Sequence, residues 1–317
     1  MAIIDTLKSK AKKASKAKVN EPALPKPAWE ECEALPVNLV LEGGAMRGQF
    51  TAGVLDYFMQ NKLFCDHVFG VSAGALAGYC YVAGEVGRTC LINIQYCQDP
   101  RYLSMKSFLT TGNACGRQFA FHDIPEKLIP FNFEAYENSP ITLTAVSSNL
   151  KLGEADYHDV RKLSDDADLP YLMASSSMPL VSQIVEVDGK KLLDGGTCDS
   201  VPIVQSKLTG CKKHIVVLTQ AADYVKGPNK LMPLMHQMYS DYPHYLERLQ
   251  YRHYEYNRTY RNLLRMHEAG ECFVIRPQKP VTIASMEHDP EKLLDLYEQG
   301  YAEAKRVWND LQRYLAE

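Results

Sequence analysis

Two apolar runs near the start of the chain each lead through a glycine-rich turn into a helix-like segment. The first is VNLVL (37–41), followed by GGAMRG (43–48) and then by QFTAGVLDYFMQN (49–61). The second is HVFGV (67–71), which turns through GVSAG into AGALAGYCYVAG (73–84). Short apolar runs that alternate with helical patterns are typical of buried parallel strands packed against helices. The sequence therefore predicts an α/β protein.

Further strand and helix patterns follow the same plan. Strand-like runs occupy 141–149, 182–196 (as a hairpin), 214–220 and 272–277, and helical patterns occupy 241–267 and 290–315. Strands separated by helices imply a mainly parallel sheet that is covered on both faces, which is a three-layer α/β/α fold. We expect three parts: a basic, flexible N-terminal segment (1–34), a catalytic core (35–220) and a helical C-terminal extension with one strand, packed on the core (221–317).

The cysteines and the apolar stretches indicate the cellular compartment in which the protein is expected. The nine cysteines contain no C-x-x-C pair and no spacing with histidine that suits zinc, so we expect reduced thiols, no metal and a cytoplasmic protein. No apolar stretch is long enough to span a membrane, and the N-terminus lacks the apolar core of a secretion signal.

The N-terminal segment is strongly basic. Residues 1–30 hold seven lysines against three acidic residues, a net charge of +4, while the whole chain carries −3. The stretch from Lys8 to Lys18 fits two interpretations. It is a solvated tail, or it is a weak amphipathic anchor that places the protein at the inner, anionic face of a membrane.

The second turn, GVSAG, presents a candidate nucleophile. Gly70 and Gly74 flank Ser72 in the G-x-S-x-G spacing, between a strand and a helix. Such glycines permit a tight turn that lifts the serine hydroxyl out of the sheet. The alternative is an ordinary strand-to-helix turn in which Ser72 caps the helix.

The first turn, GGAMRG, fits an oxyanion hole. Gly43 and Gly44 allow consecutive N–H groups to point outward, and Arg47 stands where the next helix begins. Arg47 is also compatible with an ordinary surface position. A dinucleotide-binding loop is a second interpretation, but Ala45 replaces a glycine of that fingerprint and Asp66 precedes the second strand instead of following it.

A nucleophilic serine needs a base. His267 and His288 occur late in the chain, without a supporting pattern. Asp194 is the other candidate, because it ends an apolar strand and precedes Gly195 and Gly196. A buried carboxylate at that position can accept the serine proton, whereas the alternative is a turn aspartate.

Taken together, the motifs G-G-x-x-R-G, G-x-S-x-G and D-G-G resemble the patatin-like phospholipase family. ASSSMPL (174–180) and DGGTCDSVPI (194–203) resemble the segments around that family's aspartate, and CFVIRPQKP with the helix after it is similar to the C-terminal extension of bacterial members. The resemblance implies a lipid acyl hydrolase with a Ser-Asp dyad, and no cofactor or metal. It makes Ser72 the nucleophile, Asp194 the base and the oxyanion loop Gly43, Gly44, Ala45, Arg47 and Gly48, although the family usually has glycine where Ala45 stands.

The expected partner is a lipid or ester substrate. Tyrosines and arginines alternate in 242–265, but we interpret this as a helix that buries its tyrosines and exposes its arginines, not as a nucleic-acid site. Two alternatives stay open: a lipid- or partner-binding protein without turnover, and an acyltransferase on the same fold.

Overall fold

The computed structural model describes residue 24 and residues 26–317, so the Lys8 to Lys18 stretch lies outside the described residues. Within this part the strands are β1 (Leu35–Leu41), β2 (Cys65–Val71), β3 (Thr142–Asn149), β4 (Glu154–Val160), β5 (Val185–Val187), β6 (Lys190–Asp194), β7 (His214–Val217) and β8 (Phe273–Ile275). The helices are α1 (Gln49–Gln60), α2 (Ala73–Val82), α3 (Arg88–Tyr96), α4 (Met105–Thr111), a π-helix (Phe119–Leu128), α5 (Phe133–Glu137), α6 (Leu169–Ser175), α7 (Ile203–Leu208), α8 (Met232–Met238), α9 (Pro243–Glu268) and α10 (Pro290–Ala316).

Hydrogen-bonded pairs join the eight strands into one mixed, mostly parallel sheet. The pairs follow the path β5-β6-β3-β2-β1-β7-β8, and β4 also pairs with β3. The predicted α/β fold is therefore confirmed. The antiparallel pairs β3–β4, β3–β6 and β5–β6 lie at one end of the sheet. Strand β4 was not predicted, because its sequence EADYHDV is largely polar and gives no apolar run.

Alternate residues of the central strands face two separate layers. Leu39 and Leu41 belong to a core shared with α1, α2 and α10, whereas Val40 packs in a second core with Tyr256 and Leu263 of α9. Because side chains alternate across a strand, neighbouring residues of β1 supply both cores. The sheet is thus covered on both faces, as the sequence predicts.

Strand β3 brings two strand ends together. Its residues 143–149 pair with β4 along one edge. On the other edge β2 pairs as far as Val71 opposite Val146, and β6 arrives from the opposite direction and ends with Asp194 opposite Ser147. Because Val146 and Ser147 are consecutive, the residue after Val71 meets Asp194 at the same point of the sheet.

Helices α1 and α10 cross at close backbone range. A Cβ atom on Gly53 would lie 2.1 Å from the Tyr297 carbonyl oxygen, and one on Gly300 would lie 2.0 Å from the Phe50 carbonyl oxygen. A hydrogen-bonded group lies beside this crossing: Asp56 accepts from the Gly87 N–H at 2.9 Å and from the Tyr297 hydroxyl at 2.8 Å. Burial raises the pKa of Asp56 to about 7, although both hydrogen bonds lower it.

This carboxyl makes the protein's stability depend on pH. The folded pKa lies above the unfolded one, so Asp56 contributes stability at low pH that is lost as the pH rises through about 7. Relative to Asp56→Asn, we expect the wild type to lose on the order of 2–3 kcal/mol of unfolding free energy between pH 5 and pH 8. Urea denaturation at both pH values measures this difference. The exposed change Asp223→Asn is the control, and an equal pH dependence in wild type and Asp56→Asn would contradict the prediction.

No helix in the described part of the chain combines the length and the apolar character needed to cross a bilayer.

Candidate active site

Ser72 sits on a strained turn between β2 and α2. Its backbone has φ 55° and ψ −124°, a region that non-glycine residues rarely adopt. A Cβ atom on Gly70 would lie 2.5 Å from the Ala75 Cα atom, and one on Gly74 would lie 2.4 Å from the Leu41 carbonyl oxygen. Both positions therefore require glycine, and the turn has the geometry that the G-x-S-x-G spacing predicts.

The hydroxyl of Ser72 is not used to cap a helix. Ser72 occupies the N-cap position of α2, but its side chain makes no capping hydrogen bond. Its N–H donates to the Ser175 hydroxyl at 2.9 Å, and Ser175 donates in turn to the Val146 carbonyl at 2.7 Å. Ser175 thus ties the turn to β3 while leaving the Ser72 hydroxyl free for other contacts.

Asp194 lies beside Ser72 and is equally buried, since each is 8% exposed. The Ser72 hydroxyl lies close enough to the Asp194 carboxyl to lower its pKa as a hydrogen-bond donor, and the Gly196 N–H donates to Asp194 Oδ1 at 2.8 Å. Asp194 therefore acts as a turn aspartate and as a partner of Ser72 at once. Gly195 is required for this packing, because a Cβ atom there would lie 2.2 Å from the Val146 carbonyl oxygen.

The environment makes Asp194 a better proton acceptor than an ordinary aspartate. Burial raises the pKa of its carboxyl, while the hydrogen bonds from Ser72 and Gly196 and the positive charge of Arg252 lower it; the net change is upward. A raised pKa reduces the difference between the pKa of the carboxyl and that of the serine hydroxyl, which favours proton transfer.

The glycine loop after β1 is in contact with the serine. A Cβ atom on Gly43 would lie 2.9 Å from the Ser72 Cβ atom, and one on Gly48 would lie 3.0 Å from the Ala73 Cβ atom. The N–H of Met46 donates to the Ser285 carbonyl and that of Arg47 to the Gly44 carbonyl, both at 3.1 Å. This leaves the N–H groups of Gly43, Gly44 and Ala45 available as donors, and their role at an oxyanion stays a prediction.

Ala45 adopts a left-handed backbone conformation, with φ 49°. This conformation costs an alanine about 1–2 kcal/mol, and glycine has no such cost. Glycine loses about 0.5–1 kcal/mol more backbone entropy on folding. We therefore expect Ala45→Gly to raise the unfolding free energy by about 0–1 kcal/mol and to retain activity, because the N–H remains.

Urea denaturation tests the change at Ala45 against a matched control. Ala302 is exposed in the middle of α10, where glycine should cost about 1 kcal/mol. Equal destabilisation by Ala45→Gly and Ala302→Gly would show that the loop alanine is not strained.

Arg47 is hydrogen-bonded to Ser285 and not to Ser72. Its Nη1 donates to the Ser285 hydroxyl at 3.0 Å, and its Nε is buried without a hydrogen-bond partner among the described residues. Arg47 is therefore more than a bare surface residue, and its place in the oxyanion loop stays a prediction. Its guanidinium contributes positive charge next to the loop.

Helix α9 contacts the residue before the glycine loop and the turn after Asp194, which the sequence does not predict. The hydroxyls of Tyr256 and Tyr260 donate to the carboxylate of Glu42, the latter at 2.6 Å, and Glu42 directly precedes Gly43. One turn earlier, the Nε of Arg252 donates to the carbonyl of Gly196.

The prediction for this helix is thus correct for Tyr245, Tyr256 and Tyr260, which are buried, although Tyr251 and Tyr254 are exposed. It is wrong for Arg252, which turns inward. Arg252, Tyr256 and Tyr260 recur every four residues, a signal that they share one face. The pattern does not identify what that face contacts.

An apolar cavity of about 240 Å³ opens beside Ser72. Its walls include Ala45 and Gly48 of the glycine loop, and further apolar side chains line it: Leu76, Tyr79, Phe121, Phe133, Leu169 and Leu172. The cavity is lined mainly by apolar side chains and reaches Ser72.

The other sequence candidates lie elsewhere. His267 Nδ1 lies 3.3 Å from the Cys272 carbonyl, and His288 Nδ1 contacts the Cys97 carbonyl, so neither ring is engaged with Ser72. Asp66 lies near the amino end of β2, whereas the glycine loop follows the carboxyl end of the parallel strand β1. A dinucleotide site is therefore disfavoured.

Two family models match this chain. The family model described as patatin-like phospholipase matches residues 39–205, and a second, described as a domain of unknown function (DUF6363), matches residues 242–316. The uncharacterized protein YjjU of Escherichia coli (strain K12) is 25% identical over 195 residues, which cover 58% of this chain and 52% of YjjU.

The lysophospholipase NTE1 of Eremothecium gossypii is 26% identical over 198 residues, which cover 59% of this chain and 12% of that protein. The match thus spans about half of one curated relative and about an eighth of the other. Among solved structures, VipD from Legionella pneumophila aligns with a TM-score of 0.44 and 11% identity, over 94% of this chain and 73% of that chain.

Proposed function

Because this chain belongs to the patatin-like phospholipase family, we propose that it hydrolyses lipid acyl esters with Ser72 as nucleophile and Asp194 as general base. The observation that carries the proposal is the placement of the Ser72 hydroxyl next to the buried Asp194 carboxyl, beside the glycine loop. A strained serine next to a base is the arrangement that nucleophilic catalysis needs.

The first half of the reaction forms an acyl-enzyme. The Ser72 oxygen attacks the ester carbonyl carbon while its proton passes to the Asp194 carboxylate. The carbonyl oxygen becomes an oxyanion, which N–H groups of the Gly43–Ala45 main chain stabilise. When this intermediate collapses, the bond to the alcohol breaks and the alcohol takes the proton from Asp194.

The second half releases the fatty acid. A water molecule gives a proton to Asp194 and attacks the acyl carbon, and the same N–H groups stabilise the second oxyanion. Collapse breaks the bond to Ser72, whose oxygen recovers the proton from Asp194. The acid leaves and both side chains return to their starting state.

The substrate proposal rests on the cavity and on the relatives. An apolar cavity beside the serine accommodates an acyl chain, and one relative carries the name lysophospholipase. We therefore place lysophospholipids and related single-chain esters among the substrates.

A panel of lysophospholipids, diacyl phospholipids and short nitrophenyl esters tests this proposal. Release of free fatty acid or nitrophenol by the full chain is expected. Lipid binding without release would instead identify a binding protein, and transfer of the acyl group to added glycerol would identify an acyltransferase.

A further inference from the structure

Three cations lie around the catalytic loops, and none has a carboxylate within 4 Å among the described residues. Arg47 lies in the glycine loop, and its Cβ atom is 3.3 Å from the position of a Cβ atom built on Gly44. Arg252 contacts Gly196 in the aspartate turn. Lys226 stands over the ring of Tyr256, with its Nζ 4.3 Å from the ring centroid. None of the three lines the apolar cavity.

Asn257, which lies outside the region matched by the patatin-like model, holds the main chain of Lys226 in this position. Its N–H donates to the Asn257 side chain at 2.9 Å, and the Asn257 amide donates back to the Lys226 carbonyl at 2.9 Å. Asn257 belongs to α9, the helix that also carries Arg252 and Tyr256. The ammonium group itself donates to no oxygen atom of the described residues, although its ring contacts fix its place.

The local carboxylates, Glu42 and Asp194, neutralise this cluster of three cations only in part. Glu42 already accepts four hydrogen bonds, from the Thr219 N–H and hydroxyl and from the hydroxyls of Tyr256 and Tyr260. Burial, together with the charges of Arg252 and Arg47, lowers the pKa of Lys226 to about 8, although the charge of Glu42 raises it. Three cations against these two carboxylates leave an excess of positive charge, which favours an anion.

We propose that Arg47, Lys226 and Arg252 form a binding site for a phosphate group beside the dyad and outside the acyl cavity. A phosphate offers several acceptor oxygens, which suits two guanidinium forks and an ammonium better than a two-oxygen carboxylate does. The phosphate belongs either to the head group of a single-chain lipid or to free phosphate. Only the first source rests on the proposed function.

Lys226→Gln is the main test, because Lys226 contacts neither Ser72 nor Asp194 and therefore lies outside the proposed catalytic machinery. The substrates are 1-decanoylglycerol 3-phosphate and 1-decanoylglycerol, which differ only in the phosphate. We expect kcat/KM for the phosphate ester to fall about tenfold, and that for the neutral ester to stay unchanged. Lys226→Arg should keep most of the preference, and the exposed change Lys230→Gln should keep all of it.

A second measurement does not depend on turnover. Inorganic phosphate, added at constant ionic strength set with chloride, should raise the melting temperature of the wild type and of Lys230→Gln. It should have little effect on Lys226→Gln. Stabilisation together with a substrate preference identifies the lipid head group as the source, and stabilisation without it identifies free phosphate.

Two results would overturn the site. Lys226→Gln could lower kcat/KM for both substrates equally, which would indicate a structural role, or it could leave both the preference and the stabilisation by phosphate unchanged. If the wild type hydrolyses neither ester, the proposed function fails, and the melting experiment alone then decides whether the phosphate site exists.

Discussion

Replacing Ser72 with alanine should abolish ester hydrolysis while the fold persists. The substitution removes the atom that forms the acyl-enzyme, so we expect kcat to fall by about 10⁴-fold or more. The Ser72 hydroxyl makes no capping hydrogen bond, so little stability depends on it. Fatty acid release, measured on protein whose thermal melting is unchanged, checks the prediction.

A matched control distinguishes the loss of the nucleophile from the general effect of replacing a serine with alanine. Ser240 is exposed, and Ser240→Ala should hydrolyse substrate at the wild-type rate. Appreciable turnover by a folded Ser72→Ala variant would mean that another residue is the nucleophile.

Asp194→Asn should lower kcat/KM by about 10²–10⁴-fold, the usual contribution of a general base. The amide can still accept a hydrogen bond from the Gly196 N–H, so the turn should survive. Because the amide cannot take the serine proton, the loss is chemical and should appear in the rate with little change in stability. Initial rates on a nitrophenyl ester measure the effect.

The pH profile of the wild type gives a second check on Asp194. The carboxyl must be ionised to act as a base, and burial raises its pKa. Activity should therefore fall with decreasing pH at values above the range of an ordinary aspartate, about 4. His267→Gln and His288→Gln should retain activity. Normal rates in Asp194→Asn together with a loss in either histidine variant would point to a histidine base.

The predictable part of the site consists of residues whose local sequence forces a backbone shape. Gly70 and Gly74 are needed because other atoms occupy the space of a Cβ atom, and the G-x-S-x-G motif has glycine at both positions. The departure at Ala45 was also visible in the sequence, and the structure places this residue at positive φ.

The position of Asp194 depends on sheet register, which local sequence does not state. Asp194 ends an antiparallel strand, and it meets Ser72 because β2 and β6 share one edge of β3 from opposite directions. Strand β4, which fills the other edge, is too polar to recognise as a strand.

The contacts of helix α9 could not be predicted from the sequence for a related reason. Helical periodicity shows that Tyr256 and Tyr260 are buried, but a buried carboxylate such as Glu42 becomes interpretable only when its distant partners are known. The same holds for Arg252, whose charge suggests solvent although its guanidinium supports the aspartate turn. These contacts give residues 242–268 a direct structural link to both catalytic loops.

Mass spectrometry of the full chain after reaction with a fluorophosphonate tests the central claim most directly. The probe reacts with activated serines, so the account predicts one covalent adduct on the peptide that contains Ser72. The adduct should be absent from Ser72→Ala and form much more slowly in Asp194→Asn. An adduct on a different residue, or equal labelling of the wild type and Asp194→Asn, would contradict the account.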